Sequence, residues 1–412
     1  MKLFRLTFII LFLFSSTAFA FNIGGEFSSS YELSRDKGKQ TEGLWENYLR
    51  IDNAKLYDPY VGFNFYGRYA QDDDNDSYTD IYSAYMDFSS FQKAVELKVG
   101  RFSYVGNRFL TLDGAELTVR TDYYLGVTAF AGSPEYFDAD DRHVNETFRD
   151  TGDRLYGAKV FLNGVKDTTG FVSYSKEEND DTTLQQMLGL GLGRRFVFSD
   201  KSYFTADGKM QYDTEENNIY KGVLRMSYVY NNKLTIITDF STYDVKDGSS
   251  YEQELVISNF STGKEDKYAY TVQYAVTEHI SPYQSTVRTR LQMPSDEVVD
   301  GEIYKLGVDV DYYKAAGIRS NVEGYYYNSD ISNAKGGSFA LDLSLSKALR
   351  LSFESEMLRL ENTTTTDTIY SVYADAEYDF MKYFTLSVYG ENNQKTRYLP
   401  ENRYGVKLAY RF

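Results

Sequence analysis

Two histidines, His143 and His279, are the only imidazole bases in this chain, and cysteine is absent. Imidazole titrates nearest physiological pH, so these two side chains are where acid–base chemistry would be sought first. His143 lies close to Asp140 and Asp141, the raw material of an Asp–His pair. A hydrolase would also need an activated nucleophile or water within hydrogen-bond reach, and no G-x-S-x-G motif accompanies the pair. No catalytic residue is therefore assigned, and the chain is not read as an enzyme. The lack of Cys removes thiolate metal sites, disulfides and C-x-x-C-H haem attachment from this chain, and no cofactor is expected.

Carboxylates are the next candidates. They cluster in Asp72-Asp73-Asp74-Asn75-Asp76, in Glu135 to Asp153, in Glu177-Glu178-Asn179-Asp180-Asp181, and in Asp213 to Glu216. Hard cations want several carboxylate oxygens close together. The first cluster lacks the Gly and the distant Glu of an EF-hand loop, so solvated loops are expected rather than a metal site. A diffuse cation cloud bridging to lipopolysaccharide phosphates suits such loops as well.

A third set of charges recurs at alternate positions inside otherwise apolar segments. On the cationic side these are Arg50, Arg68, Lys98, Arg225, Arg288, Arg290, Lys305 and Arg319. On the anionic side they are Glu26, Asp52, Glu116, Asp239, Asp309, Asp311, Glu323, Glu354, Asp375 and Glu377. Both signs are present, whereas a strongly ion-selective pore would be more one-sided. Two readings follow for a lumen lined this way: a hydrated wall braced by opposed charges, or a constriction where Arg288, Arg290 and Arg319 face the acidic groups and set selectivity.

The elements that would carry these charges are strands. Side chains alternate across a strand, so Val61, Phe63, Phe65 and Tyr69 share one face and Asn64, Tyr66 and Arg68 the other. Leu306, Val308, Val310 and Tyr312 likewise oppose Lys305, Asp309 and Asp311. The pattern repeats in Phe339 to Leu345, Tyr370 to Glu377 and Phe384 to Tyr389. It ends the chain, where Tyr404, Val406, Leu408, Tyr410 and Phe412 oppose Arg403, Lys407 and Arg411. Each apolar face runs for about three to five alternations, roughly the height of a hydrocarbon core for a tilted strand.

The N-terminus gives this pattern its setting. Met1 to Ala20 has a basic start (Lys2, Arg5), an apolar run from Leu6 to Phe14 and the small-residue site Ala18-Phe19-Ala20, which together predict a cleaved signal peptide and a mature start at Phe21. No later stretch approaches the roughly 18 consecutive apolar residues of a membrane helix. The net charge of −16 and the five prolines would suit a soluble acidic protein, but 40 Tyr and 28 Phe suit interfacial girdles.

Connections alternate between tight and loose. Tight ones are expected at Tyr57-Asp58-Pro59, Ser90-Phe91-Gln92, Thr121-Asp122, Asn163-Gly164, Ser199-Asp200-Lys201, Asn231-Asn232, Ser281-Pro282, Lys314-Ala315-Ala316, Lys347-Ala348 and Met381-Lys382. Short periplasmic turns and longer acidic external loops are the usual asymmetry of such proteins. The prediction is an all-β chain: residues 1–20 as signal peptide and residues 21–412 as a single closed antiparallel transmembrane β-barrel. An even count of about 22 strands fits, with 16–20 as the alternative. The first strand starts at once with Ile23, Phe27, Tyr31 and Leu33, leaving no room for an N-terminal plug. Barrels of about 22 strands carry a filled lumen. Ser133 to Gly152, Lys246 to Asp266 or a separate protein would fill this one.

These features resemble a Gram-negative outer-membrane β-barrel of the porin-like kind over essentially the whole mature chain. Leu97-Lys98-Val99-Gly100-Arg101-Phe102, followed by Leu112-Asp113-Gly114-Ala115-Glu116-Leu117, is similar to the G-R then D-G-A strand pair of porin-like barrels. The terminal Phe412 resembles the assembly signal read by the barrel assembly machinery. The resemblance implies an integral outer-membrane protein in contact with lipid and lipopolysaccharide, with no nucleic-acid partner. It implies one of two functions: a porin-like channel for ions or small solutes, or the porin-like sheath of a porin–cytochrome conduit, holding a multihaem cytochrome for transmembrane electron transfer.

Overall fold

The computed structural model describes residues 23–35, 41–57, 60–73, 77–90, 93–105, 109–121, 124–135, 153–179, 182–245, 263–292, 298–313, 317–330, 332–362, 366–393 and 402–412. The signal-peptide residues, Phe21, His143 and the segments 136–152 and 246–262 lie outside them.

The strands are β1 (Gly24–Arg35), β2 (Glu42–Tyr57), β3 (Val61–Asp72), β4 (Ser77–Ser89), β5 (Val95–Val105), β6 (Phe109–Arg120), β7 (Leu125–Glu135) and β8 (Arg154–Val165). There follow β9 (Thr168–Asn179), β10 (Thr182–Ser199), β11 (Ser202–Asp213), β12 (Asn218–Tyr230), β13 (Leu234–Val245), β14 (Gly263–Tyr274) and β15 (Ile280–Gln292). The last are β16 (Val298–Tyr312), β17 (Ile318–Ser329), β18 (Ser332–Ser344), β19 (Leu349–Asn362), β20 (Thr366–Phe380), β21 (Phe384–Asn393) and β22 (Asn402–Arg411).

Each strand pairs antiparallel with its sequence neighbours, and β1 closes on β22 from Glu26↔Arg411 to Arg35↔Asn402. The result is one closed barrel of 22 strands. Closure matters because an open sheet edge would leave unpaired backbone groups in hydrocarbon. Phe412 takes part in it: its N–H donates to the Gly25 carbonyl at 3.1 Å, and the Gly25 N–H donates back to the Phe412 carbonyl at 3.1 Å.

The start of β1, the end of β22 and the reversals at 166–167, 200–201 and 231–233 share one end of the barrel. Two reversals there, Lys166-Asp167 and Asn231-Asn232, have positive φ at both residues, which fits the right-handed strand twist of a tight hairpin. Two expected turn positions shift. Asn163 and Gly164 sit at a bulge inside β8, just before the Lys166-Asp167 reversal. Ser281 and Pro282 pair with Asp309 and Val308 within β15, and the reversal is at 275–279 instead.

Register separates the two faces. Outward residues include Val95, Val99, Leu117, Val119, Leu125 and Val127, all exposed. Aromatics bracket this apolar band on the outward face. Phe196, Phe198, Tyr230, Tyr274, Tyr312 and Tyr378 lie toward the turn end, and Tyr31, Tyr69, Tyr304, Tyr326, Tyr370 and Tyr404 toward the other. A ring with a wet hydroxyl sits well at such an interface.

Candidate functional site

The inner wall is the site, and alternation alone places its charges. Across the β1–β22 seam, Glu26, Glu32, Arg403, Lys407 and Arg411 share the inward face. Arg403 donates to both oxygens of Glu32, at 3.0 Å from Nε and 2.9 Å from Nη2, and lies 3.6 Å from Glu391. The Tyr389 hydroxyl donates to the same Glu32. A bidentate pair of this kind fixes both side chains, because the guanidinium fork matches the carboxylate.

On the adjoining strands, Arg50 donates to Asp52 at 2.7 Å. Arg68 is only 1% exposed and lies 3.5 Å from both Glu46 and Asp80, with the Tyr78 ring 4.9 Å from its guanidinium carbon. A buried cation must be matched in this way, since an uncompensated one is costly.

A second network spans β14 to β17. Lys305 donates to Glu323 at 2.9 Å, and the Tyr283 hydroxyl donates to the other Glu323 oxygen at 2.7 Å. Asn321 donates to Asp309 at 2.7 Å and Gln273 donates to its second oxygen at 2.8 Å. Arg319 lies 3.6 Å from Asp311, at the turn end of the same wall. Arg225 faces Asp239 at 3.5 Å, Lys98 donates to Glu116 at 2.7 Å, and Arg350 joins Glu377 at 3.1 Å. Asp375 lies between Ser352 and Tyr389 in register, and Glu354 and Glu391 flank Tyr373 in the same region.

Of the predicted inner-wall residues, Arg50, Arg68, Arg225, Arg319, Asp309, Asp311, Glu323 and Asp375 fall on the inward face. Arg288 and Arg290 do not. Ser285 pairs with Lys305 and so faces inward, which turns Arg288 and Arg290 outward. There Arg288 meets Glu302 at 2.8 Å and Arg290 approaches Asp300 at 4.0 Å, near the end opposite the turns. The expected cluster of Arg288, Arg290 and Arg319 therefore does not form: the first two lie on the other face and at the other end from the third. A face assigned from charge alone goes wrong where a strand continues beyond the apolar band, because both faces are polar there.

The acidic segments are engaged locally where they are described. The Asp73 carboxylate accepts from the Gly43 N–H at 2.7 Å, and Asp213 accepts from the N–H groups of Glu215 and Glu216 at 3.0 and 3.2 Å. Among the described residues no group of three or more His, Cys, Asp or Glu side chains is arranged to hold a metal. His279 caps a turn: its Nδ1 lies 2.7 Å from the Asp311 carbonyl and its ring stacks on Tyr312.

One inward feature carries no charge. Phe102, Leu112, Phe130 and Leu155 form a buried apolar cluster with Tyr85 packed against it. Register puts these residues on the same face as Lys98 and Glu116. Nothing in the alternation distinguishes them, since an inward Phe breaks the polar pattern only locally.

No protein-family model matches this sequence, and no curated protein does. Solved structures do. The siderophore receptor PirA of Pseudomonas aeruginosa superposes with a TM-score of 0.60 at 12% identity, over 95% of this chain and 80% of that one. In fold, the chain is an outer-membrane β-barrel. PirA of Acinetobacter baumannii matches with a TM-score of 0.56 at 9% identity, over 95% and 80% of the two chains. OccK5 (OpdH) of Pseudomonas aeruginosa matches at 0.49 and 14% identity, over 95% and 98%. The outward apolar band and its two aromatic rows are those of a barrel that crosses a membrane.

Proposed function

We propose that this protein is a porin-like channel through which ions or small solutes cross the outer membrane. The observation that carries this reading is the inner wall: ion pairs and hydrogen-bonded carboxylates line it along β1–β6, β12–β17 and β19–β22, which is a surface built for water. Outward faces of the same strands are mainly apolar, with Arg101–Asp113, Arg288–Glu302 and Arg290–Asp300 as paired exceptions, so the polar wall is not a general property of the chain. Liposomes carrying the purified protein should swell in solutes up to a sharp size limit. Swelling no faster than in empty liposomes would remove the channel reading.

A second reading draws on the strand number. Barrels of 16 to 18 strands leave an aqueous channel, and those of 22 hold a filled lumen. A multihaem cytochrome seated in this barrel would make it an insulating sheath, with the electrons carried by the partner's haems. Gentle extraction followed by native electrophoresis with haem staining separates the two: a stoichiometric haem protein supports the sheath, and a haem-free barrel supports the channel.

Either reading takes lipid and lipopolysaccharide as neighbours of the outward face. It also takes the barrel assembly machinery as the partner that reads Phe412.

A further inference from the structure

The barrel wall is not equally stitched all round. Most neighbouring strands pair along nearly their whole length, as β5 does with β6 from Val95↔Val119 to Val105↔Phe109. Between β4 and β5 the ladder runs only from Ser89↔Glu96 to Ala84↔Arg101 and stops, although both strands continue. At this level each strand also departs from regular geometry. In β4, Tyr82 is an extra residue opposite the Tyr66/Gly67 step of β3, a bulge that bends a strand and increases its twist. In β5, Gly100 has φ +126°, and a Cβ there would lie 2.3 Å from the Ala84 carbonyl oxygen. Only glycine fits, and it turns β5 away from β4.

One side chain spans the parting. Arg101 holds Asp113 of β6 with two hydrogen bonds of 2.6 Å, and its third contact, 3.1 Å, is to the Ile81 carbonyl of β4. Ile81 lies beyond the last β4–β5 pair, where its neighbour on β5 would otherwise serve it. In hydrocarbon a backbone carbonyl must be satisfied, and here a side chain does it in place of the ladder. The G-R and D-G-A segments thus form a clasp: Gly100 opposes Gly114, and Arg101 opposes Asp113.

Height and lining say what the parting serves. Arg101 lies six residues above Val95. At about 3.4 Å per residue and a tilt of about 40°, the split starts roughly 15 Å above the turn end of an apolar band about 25 Å tall. It therefore faces the outer half of the bilayer. On the lumen side it adjoins a cavity of about 770 Å³, lined from the β4 edge by Ser83 and Tyr85 and from the β5 edge by Phe102 and Ser103. The deeper part of that cavity carries both signs, Arg50, Lys98 and Arg403 beside Glu26, Glu32 and Asp52. On the lipid side Ile81, which is exposed, faces Arg101 across the split.

We propose that the β4–β5 parting is a lateral port through which an amphipathic molecule with a single slender apolar chain passes between the lumen and the outer leaflet. The polar head occupies the charged cavity, and the chain leaves between Ile81 and Arg101 when the guanidinium releases the Ile81 carbonyl. The proposal shares with the channel reading only a cavity on the lumen side that a polar head can enter, not a continuous path for ions.

Because the chain has no cysteine, a Ser83→Cys/Ser103→Cys pair gives a unique staple across the split. The readout is protein-dependent entry of a fluorescent dodecanoate into the bilayer of lipopolysaccharide-containing proteoliposomes, with ion conductance measured on the same protein. Stapling with a short thiol-reactive, reducible bridge should slow entry at least fivefold, reduction should restore it, and conductance should change less than twofold. Arg101→Ala, which opens the clasp, should raise entry several-fold. Entry unchanged by the staple, or absent from the unstapled protein, would overturn the port. Loss of ion conductance with entry still sensitive to the staple would overturn the channel reading and leave the port standing.

Discussion

Inward and outward arginines look alike in the sequence, but they carry different consequences. Arg288 and Arg290 pair with Glu302 and Asp300 on the outer surface, so Arg288→Gln and Arg290→Gln should leave ion selectivity unchanged. Arg319 faces the lumen beside Asp311, and Arg319→Gln should shift selectivity toward cations by up to about twofold, since a wall charge biases permeation. Reversal potentials in a salt gradient distinguish these outcomes, and an effect of the Arg288 or Arg290 change equal to that of Arg319 would contradict the assigned faces. Close approach of strands gives a second residue-level test. A Cβ on Gly114 would lie 2.1 Å from the Ala131 carbonyl oxygen, whereas one on Gly324 meets nothing nearer than 4.0 Å. Gly114→Ala should cost about 1–3 kcal/mol by forcing backbone shifts, and Gly324→Ala should be close to neutral. Urea unfolding in lipid vesicles reads both, and equal stabilities would refute the crowding at Gly114.

Strands were legible in the sequence because a period of two is set by the peptide geometry itself, and the apolar faces at Val61 to Tyr69, Leu306 to Tyr312 and Tyr404 to Phe412 appear as read. The even count near 22 was legible too, because each strand carries its own apolar alternation and could be counted back from Phe412. Pairing quality was not. The early stop of the β4–β5 ladder depends on the Tyr82 bulge and the positive φ of Gly100, and neither leaves a mark on the alternation. The Ser281-Pro282 position misled for a related reason: a proline near the start of a strand is tolerated where its missing N–H is not needed. At Lys166-Asp167 both residues adopt positive φ, 48° and 60°, without the Asn-Gly pair that such a turn favours. Replacing them with Asn and Gly should stabilise the barrel by about 1 kcal/mol, because ordinary side chains are strained in that region. An unchanged or lower urea midpoint would contradict the turn geometry.

At the scale of the whole molecule, stability comes from closure: a ring of hydrogen-bonded strands with an apolar outside and a polar inside has no edge to expose. Phe412 supplies the last two backbone bonds of that ring, to Gly25. Its deletion should lower the folded yield in the membrane while leaving the conductance of the molecules that do fold unchanged. A normal yield would count against the role given to the C-terminal residue. The remaining claim, that the charged inner wall lines a water-filled path, is tested most directly by recording single channels from the purified barrel in planar lipid bilayers. Discrete, steady conductance steps with a mild preference set by the wall charges are expected. A correctly folded, haem-free barrel that inserts and passes no current would contradict that claim.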